Sequence, residues 1–266
     1  MGVDGPGAGF HTGSVRQLLP DAREDVEPDD AYRADRPPPP GRPWVLVNMI
    51  ATVDGAIDVG GVSGPLGGPA DKAVFTALRA VADIVLVGSA TAVAERYRPP
   101  STSVSVRARR LANGAASVPR VAIVSAHLGF DLDLPVLAAP DRRTIVVTTA
   151  NAPAERTAPL ADRVELVRAG HDRVDLGEAL ARLASMGART VLCEGGPSVN
   201  AQLLAHDLVD ELCVTVSPLA VAGRSRRIAE GDGPPAPVDF ELAHVLHDDH
   251  FLFLRYRRAH GESTSS

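Results

Sequence analysis

An aspartate closes the first long apolar run of this chain. The run WVLVNMIA begins at Trp44, and Thr52 and Val53 lead from it to Asp54 and Gly55. An isolated Asp-Gly pair is ordinarily a turn. Because this pair ends a strand that we expect to be buried, Asp54 is also a candidate to bind a polar substrate or relay a proton, with the low-dielectric pocket adjusting its pKa.

Small and polar residues follow three further apolar runs. Gly88 to Thr91 follow IVLV, Ser125 follows RVAIV, and Glu194 to Ser198 follow TVLC. Ligands of an open α/β sheet collect outside the carboxyl ends of its strands. Glycine lets a backbone approach a phosphate closely, and a helix predicted to begin at Ser198 would offer free N–H groups to an anion. None of these loops has the GxGxxG pattern, and a single glycine-rich turn most often only ends a strand, but together they predict a phosphate-bearing cofactor.

The apolar pattern predicts the sheet that would bring these loops together. Continuous apolar runs alternate with helical segments from Trp44 onward, which is typical of the buried strands of a mostly parallel sheet. Two crossover helices are predicted from Val74, Leu78 and Val81 and from Leu176, Leu180 and Leu183, the second ending at Gly187. Two β-like stretches, 238–246 and 251–257, predict a terminal hairpin. The predicted fold class is α/β: a mixed, mostly parallel sheet of about eight or nine strands flanked by helices, with a C-terminal antiparallel hairpin.

The two ends of the chain differ in composition from its middle. Residues 1–42 are rich in Gly, Pro, Asp and Arg and carry consecutive prolines from Pro37 to Pro40, which favours extended, solvated backbone. We predict an N-terminal tail over 1–42, of which 15–19 could still dock on the body or on a neighbouring subunit. One domain then spans 43–258, followed by a disordered C-terminal tail over 259–266.

Composition and charge narrow the classes of function. A formal net charge of −6 offers no chain-wide attraction to nucleic acid or anionic lipid, so we expect a small-molecule ligand. No apolar run approaches the ~20 residues of a membrane span, and the first residues lack the pattern of a secretory signal, so we expect a cytoplasmic protein. Cys193 and Cys213 lie in apolar runs and are predicted to act as small hydrophobes.

No metal site is predicted. The chain has no CxxC, and its HxE, at His260 to Glu262, has no cysteine after it, so a zinc deaminase site cannot be assembled. His244 and His250 would share one face of a strand while His247 points away from it. That spacing favours a polar hairpin turn over a metal site.

Three separated motifs make the chain similar to a known family. Thr52 to Gly55 resembles the S-x-D-G segment of the riboflavin pyrimidine reductases, Gly88 to Glu95 resembles their GSGTVLADDP, and Glu194 to Ser198 resembles their EGG-x-x loop. The segment Pro218 to Gly223 looks like the family's P-x-x-x-G with one extra residue. Order and spacing agree, and the resemblance covers residues 43–258.

The resemblance implies a dihydrofolate-reductase-like fold, a homodimer, and hydride transfer from NADPH to the ribosyl C1′ of 5-amino-6-(5-phosphoribosylamino)uracil. The residues that it assigns to the cofactor are Ile50, Gly88, Thr91, Glu95, Ser125, Gly195, Gly196, Pro197, Ser198 and Val199. Those that it assigns to the substrate are Ser63, Arg79, Arg98 and Glu194. Our hypothesis for catalysis is that Asp54 and Glu194 position the substrate and assist protonation as its ribose opens, while Arg79 neutralises the phosphate.

The chain departs from the family at three places, which leaves other functions open. Asn48 stands where the family often has lysine, Glu95 and Arg96 replace two adjacent aspartates, and Tyr97 to Pro100 is unlike the usual sequence. Asparagine neither titrates nor supplies a cation, so reduction of a pterin such as dihydrofolate remains a rival. A non-catalytic NADP-binding module, which would bind NADPH without oxidising it, is another. With no deaminase site, the chain is predicted to be a stand-alone reductase, and several arginines are eligible to distinguish NADPH from NADH.

Overall fold

The computed structural model of the protein describes residues 14–138 and 143–259. Eleven strands form one sheet. They are β1 (Val15–Leu19), β2 (Arg23–Val26), β3 (Trp44–Thr52), β4 (Ile84–Gly88), β5 (Arg120–Val124), β6 (Ile145–Thr148), β7 (Glu165–Arg168), β8 (Thr190–Cys193), β9 (Glu211–Ser217), β10 (Phe240–Asp248) and β11 (Phe251–Arg258). The helices are α1 (Pro28–Ala31), α2 (Pro69–Val81), α3 (Ser89–Ala94), α4 (Val104–Ala112), α5 (Ala154–Thr157), α6 (Leu176–Ser185) and α7 (Pro197–Ala205), with 3₁₀ turns at Gly64–Leu66, Pro135–Ala138 and Ala158–Leu160.

The sheet has a parallel half and an antiparallel half. Its strand order is β2-β1-β10-β11-β9-β3-β8-β4-β5-β6-β7. Neighbouring strands are parallel from β9 to β7 and antiparallel from β2 to β9. The central strand β3 is buried along its first four residues, as a strand covered on both faces requires. The predicted mixed, mostly parallel sheet is confirmed, and β10 and β11 form the predicted terminal hairpin.

Residues 14–42 do not form the solvated tail that we predicted for 1–42. They contribute β1, which pairs antiparallel with β10, and β2, which forms the edge of the sheet. These two strands bring the number to eleven instead of eight or nine. The charged sequence REDV of β2 suits an exposed edge, where it discourages pairing with other chains. Residues 1–13 and the motif at 260–262 lie outside the described residues, as does the predicted C-terminal tail except for its first residue.

Each face of the sheet carries its own apolar core. On one face, Val74 and Leu78 of α2 are buried in a cluster with apolar side chains of β3, β4 and β5. On the other face, Leu180 and Leu183 of α6 are buried with the side chains of the same strands that point to that side of the sheet. α6 begins where the Asp175 carboxylate accepts a hydrogen bond from the N–H of Glu178, at 2.9 Å. Both crossover helices were predicted from their apolar spacing, and their burial confirms that prediction.

A buried ion cluster holds residues 14–42 to the sheet. Glu211 of β9 accepts two hydrogen bonds from Arg36, at 3.0 and 2.9 Å, and two from Arg255 of β11, at 2.7 and 3.1 Å. Burial alone would raise the pKa of Glu211, but the two guanidinium groups outweigh it and hold that pKa at about 2. The ring of His244 packs edge-on against Tyr32 beside this cluster. Burial, reinforced by Arg255, lowers the pKa of His244 to about 4.

We predict that His244 makes the protein less stable in mild acid. Its pKa is lower in the folded protein than the 6.5 of a solvated histidine, so the unfolded chain takes up this proton first. The contribution is fully present above pH 6.5 and is lost as the pH falls towards about 4. Replacing His244 with phenylalanine, which keeps an aromatic ring against Tyr32, should remove about 3 kcal/mol of pH dependence over that interval, measured by urea unfolding. As a control, the variant His250→Asn, at an exposed position, should keep the pH dependence of the wild-type unfolding free energy. If His244→Phe also kept that pH dependence, the prediction would be contradicted.

Candidate active site

A cavity that we call the main cavity opens at the carboxyl ends of β3 and β8, between α2 and α3. Its volume is about 1080 Å³. The predicted site residues that line it are Ile50, Ser63, Arg79, Thr91, Glu95, Arg98, Glu194, Gly196 and Pro197. Residues predicted for the substrate and for the cofactor therefore meet in one space, at the edge of the sheet where ligands of α/β proteins bind.

Glu194 and Arg79 form a buried ion pair in the main cavity. The Arg79 guanidinium donates from Nε to Glu194 Oε1 at 2.7 Å and from Nη2 to Oε2 at 2.6 Å, and the Tyr97 hydroxyl donates to Oε2 at 2.5 Å. The side chains of Glu194 and Arg79 are only 3% and 19% exposed. Burial lowers the pKa of Arg79, but Glu194 more than reverses this and keeps the arginine charged, while burial raises the pKa of Tyr97. The two residues that we assigned to separate tasks thus act on each other, and much of the Arg79 charge is balanced by Glu194.

Ser63 and Glu95, predicted for substrate and cofactor respectively, also contact each other. Glu95 Oε1 accepts hydrogen bonds from the Ser63 backbone N–H at 2.7 Å and from its hydroxyl at 2.9 Å. Ser63 lies in the long loop after β3, and Glu95 directly follows α3. The contact therefore fixes this loop against the helix across the main cavity.

Asp54 lies apart from the main cavity, contrary to the catalytic role that we hypothesised. Its carboxylate accepts hydrogen bonds from the Thr52 hydroxyl and from the backbone N–H groups of Val221 and Ala222, the last two at 3.0 and 2.7 Å. These contacts, that of Thr52 above all, lower the pKa of Asp54. Asp54 lines a separate cavity of about 510 Å³. The structure therefore gives Asp54 the task of holding the 219–223 loop, whose backbone takes positive φ at Ala222.

A side cavity of about 960 Å³ adjoins the main cavity and shares Ala90, Thr91, Gly196, Pro197 and Arg226 with it. The remaining cofactor-side predictions that line it are Gly88, Ser125, Ser198 and Val199. Gly195 does not line either cavity. A Cβ atom at this position would lie 3.1 Å from Met49 Sδ.

The wall shared by the two cavities suits a phosphate. A Cβ atom on Gly196 would lie 2.6 Å from Thr91 Oγ1, and one on Gly88 would lie 3.3 Å from the Gly196 nitrogen. α7 begins at Pro197, which has no N–H, and its N-cap Gly196 has no side chain to cap the next N–H group, that of Ser198. The cradle of backbone and the dipole of α7 thus fit one phosphate-bearing ligand reaching from the side cavity into the main one.

Sequence reasoning missed several residues of the main cavity. These are Asp58, Asp71, Lys72, Phe75, Tyr97 and Arg226. Asp71 stands out because it is an acid in the first turn of α2, hydrogen-bonded to Thr215 of β9. Burial raises the pKa of Asp71, and the Thr215 bond offsets this only in part. In the sequence Asp71 looks like an ordinary first-turn acid, a position that the helix dipole favours on exposed helices too.

Comparison with known proteins identifies the family. The family described as the RibD C-terminal domain matches residues 43–253. This chain belongs to that family. The match to the RibD C-terminal domain begins one residue before β3, so β1, β2 and α1 precede the matched region. The resemblance read from the three motifs is thereby confirmed.

Individual relatives agree with this assignment to the RibD C-terminal domain family. The 2,5-diamino-6-ribosylamino-4(3H)-pyrimidinone 5′-phosphate reductase of Methanothermobacter thermautotrophicus is 32% identical over 193 residues, which cover 72% of this chain and 86% of the relative. The crystal structure of a pyrimidine reductase-like protein from Corynebacterium diphtheriae is 27% identical, with a TM-score of 0.75 over 82% of this chain and 93% of that one. RibD of Acinetobacter baumannii, 20% identical with a TM-score of 0.67 over 83% of this chain and 59% of that one, shares the fold.

No helix within residues 14–138 and 143–259 is long and apolar enough to cross a membrane. Over the same ranges, no three His, Cys, Asp or Glu side chains come together as a metal site. Cys193 and Cys213 are buried and free.

Proposed function

We propose that the protein uses NADPH to reduce 5-amino-6-(5-phosphoribosylamino)uracil to its ribitylamino product. The observation that carries this proposal is the junction of the two cavities at Thr91, Gly196 and Pro197. A dinucleotide whose phosphates were held at this junction would place its adenosine in the side cavity and its nicotinamide in the main cavity, beside the substrate. The names of the relatives, which are reductases of ribosylaminopyrimidine phosphates, support this class of substrate.

The chain's own residues would orient the substrate and move its protons. The nicotinamide, when bound, supplies the hydride that C1′ accepts. Glu194, held by Arg79 and Tyr97, offers a fixed carboxylate to hydroxyl or amino groups of the substrate. Lys72, Arg96 and Arg98 line the same cavity and add positive charge for the 5′-phosphate.

Opening of the ribose ring also needs a proton on the ring oxygen, and we propose that Asp71 supplies it. Asp71 lines the main cavity and its burial raises its pKa, so it holds a proton to a higher pH than an exposed aspartate does. This role replaces the one that we had given to Asp54, whose pKa is lowered and whose carboxylate is occupied by Thr52 and the 219–223 loop.

Turnover with defined substrates tests the proposal. NADPH oxidation, followed by its absorbance, should be fastest with 5-amino-6-(5-phosphoribosylamino)uracil, compared with its 2,5-diaminopyrimidinone counterpart, dihydrofolate and no substrate. Faster turnover of the diaminopyrimidinone would keep the reaction and change the substrate. Saturable NADPH binding without oxidation by any of the three would instead support the non-catalytic module.

Replacing Asp71 with asparagine should lower kcat by about 100-fold, since general acid catalysis contributes about 10² to 10⁴ to a rate. In the wild type, kcat should fall as the pH rises through the raised pKa of Asp71, because only the protonated form donates. That limb of the pH profile should be missing in Asp71→Asn. Asp58→Asn removes the same charge from the same cavity and should keep the limb. A profile for Asp71→Asn that matches the wild type would remove Asp71 from the mechanism.

Reduction of a pterin is a second candidate, and the surroundings of Asp71 favour it. A half-buried acid facing a cavity suits protonation of a pterin ring nitrogen, and the ring of Phe75 on the same helix offers an apolar wall. Asn48 adds no cation to this end of the cavity. Dihydrofolate turnover faster than that of both pyrimidines would decide for this candidate.

We also propose that the protein is a homodimer, which the family resemblance implies. The outer face of β9 and β11 carries directly opposed apolar pairs, Leu212 with Tyr256, Val214 with Leu254 and Val216 with Leu252. All six are only partly buried, and Leu242 beside them on β10 is 44% exposed. Burying this apolar patch against a second copy would remove it from water. Light scattering on a size-exclusion column should give twice the chain mass, and Leu254→Glu should give the monomer.

A further inference from the structure

We infer that Arg173 reads the 2′-phosphate of the cofactor and sets a preference for NADPH over NADH. The inference rests on the proposed function, because it takes the side cavity as the site of the adenosine half. Arg173 lies in the loop between β7 and α6 and lines the side cavity together with Ser125 and His127, which follow β5. The sequence offered several arginines for this task and no means of choosing among them.

The layout of the side cavity separates its two arginines. Arg226 lines both cavities and forms an ion pair with Asp58 at 3.7 Å, so it lies at the nicotinamide end of the proposed cofactor. Arg173 lines the side cavity but not the main one, and it follows β7, which lies three strands along the sheet from β4, the strand that precedes Thr91 at the junction. The adenosine ribose must lie on that side of the junction if the nicotinamide reaches the main cavity. Arg173 is therefore the arginine within reach of the 2′ position.

Arg173 is also free to bind an anion. Among the described residues no carboxylate is in ion-pair contact with it, and its side chain is exposed at the rim. Its neighbour Asp172, which also lines the cavity, has its carboxylate engaged by Asn151 at 2.8 Å and by His171 at 3.0 Å. An acid that accepts the ribose 2′-hydroxyl is typical of NAD sites, whereas an arginine nearby is typical of NADP sites. Here the acid is occupied and the arginine is available.

The loop that carries Arg173 is held firmly in place. Gly170 has a φ of +73°, and a Cβ atom there would lie 2.1 Å from the carbonyl oxygen of Arg173, so the chain folds back tightly on this glycine. The Gly170 N–H donates to Glu178 at 2.7 Å, and its carbonyl accepts from the Ala150 N–H at 2.8 Å. A fixed backbone lowers the entropy that must be lost when the arginine engages a phosphate.

Binding of two nucleotide fragments tests the inference without turnover. Adenosine 2′,5′-bisphosphate and adenosine 5′-monophosphate differ only in the 2′-phosphate, and calorimetry gives the affinity of each. The wild type should prefer the bisphosphate by about 10- to 100-fold, the effect of a charge-assisted contact. Arg173→Ala should lose that preference with little change for the monophosphate, and Arg173→Lys should keep part of it. Arg156→Ala, which removes an exposed arginine lining neither cavity, should behave as the wild type.

Each other outcome has a definite meaning. A preference that survives in Arg173→Ala would overturn the assignment of Arg173. Equal binding of both fragments by a wild type that oxidises NADPH would overturn the inference and leave the proposed function intact. A wild type that binds neither the fragments nor NADPH would overturn the proposed function and this inference with it.

Discussion

Replacing Arg79 with methionine is expected to destabilise the protein by about 3–5 kcal/mol, because it leaves the Glu194 carboxylate buried without its cation. Glu194 is 3% exposed and receives two of its hydrogen bonds from this guanidinium. The Tyr97 hydroxyl alone cannot replace a charge. The free energy of unfolding in urea measures the effect, and the same preparation should show a loss of substrate turnover.

A double-mutant cycle separates the pair from its surroundings. Glu194→Gln should also destabilise the protein, because it leaves Arg79 charged and largely buried. The double variant Arg79→Met with Glu194→Gln should lose less stability than the sum of the two single variants, since no unpaired charge remains. Losses that simply add would show that the two residues are not coupled.

The Glu211→Gln variant should be at least as damaging, and it should also release residues 14–42. Two guanidinium groups, those of Arg36 and Arg255, share this one buried carboxylate, so the loss of its charge leaves both unbalanced. We expect a loss of about 3–5 kcal/mol in the free energy of unfolding. Limited proteolysis should then cut within residues 14–42, which the wild type protects through β1 and Arg36. As a control, Glu165→Gln removes the surface partner of Arg120 and should cost less than about 1 kcal/mol, since the Glu165 side chain is 46% exposed.

The loss of stability at low pH offers a second test of the role of Glu211. The pKa of Glu211 is about 2 in the folded protein against 4.5 in a solvated glutamate, so its contribution is present above pH 4.5 and is lost as the pH falls towards about 2. The Glu211→Gln variant should lack this part of the acid dependence. An unchanged dependence would mean that Glu211 is not held as a carboxylate by its two arginines.

The elements of this fold were predictable where one local pattern decides them. Apolar runs indicated the strands from β3 to β11, and the spacing of Leu176, Leu180 and Leu183 indicated α6, because burial on each face imposes those periods. β1 and β2 escaped prediction because their sequences, VRQLL and REDV, are short and charged. These strands are held by β10 and by Glu211, which are both far away in the sequence. A pattern of neighbouring residues therefore cannot predict them.

The candidate site was predictable only in part for the same reason. Nine of the predicted residues line the main cavity because they lie in or follow β3, β4 and β8, which are neighbours in the sheet. The position of Asp54 outside the main cavity was not predictable, because its partners, Val221 and Ala222, lie more than a hundred residues away in the sequence and hold its carboxylate against a loop. Asp71 was overlooked because its burial depends on β9, which is far from α2 in sequence.

The position of β3 bears on how a nascent chain becomes active on the ribosome. β4, β5, β6 and β7 pair in order along the chain and can begin to assemble as they are synthesised. β3 precedes them, but among the described strands its partners are β8 and β9, so it cannot pair until residues 190–217 have emerged. The parts of the main cavity that β3 supports can therefore form only after β3 has paired. Catalytic competence should therefore be acquired late in synthesis, after a sizeable part of the sheet has already folded.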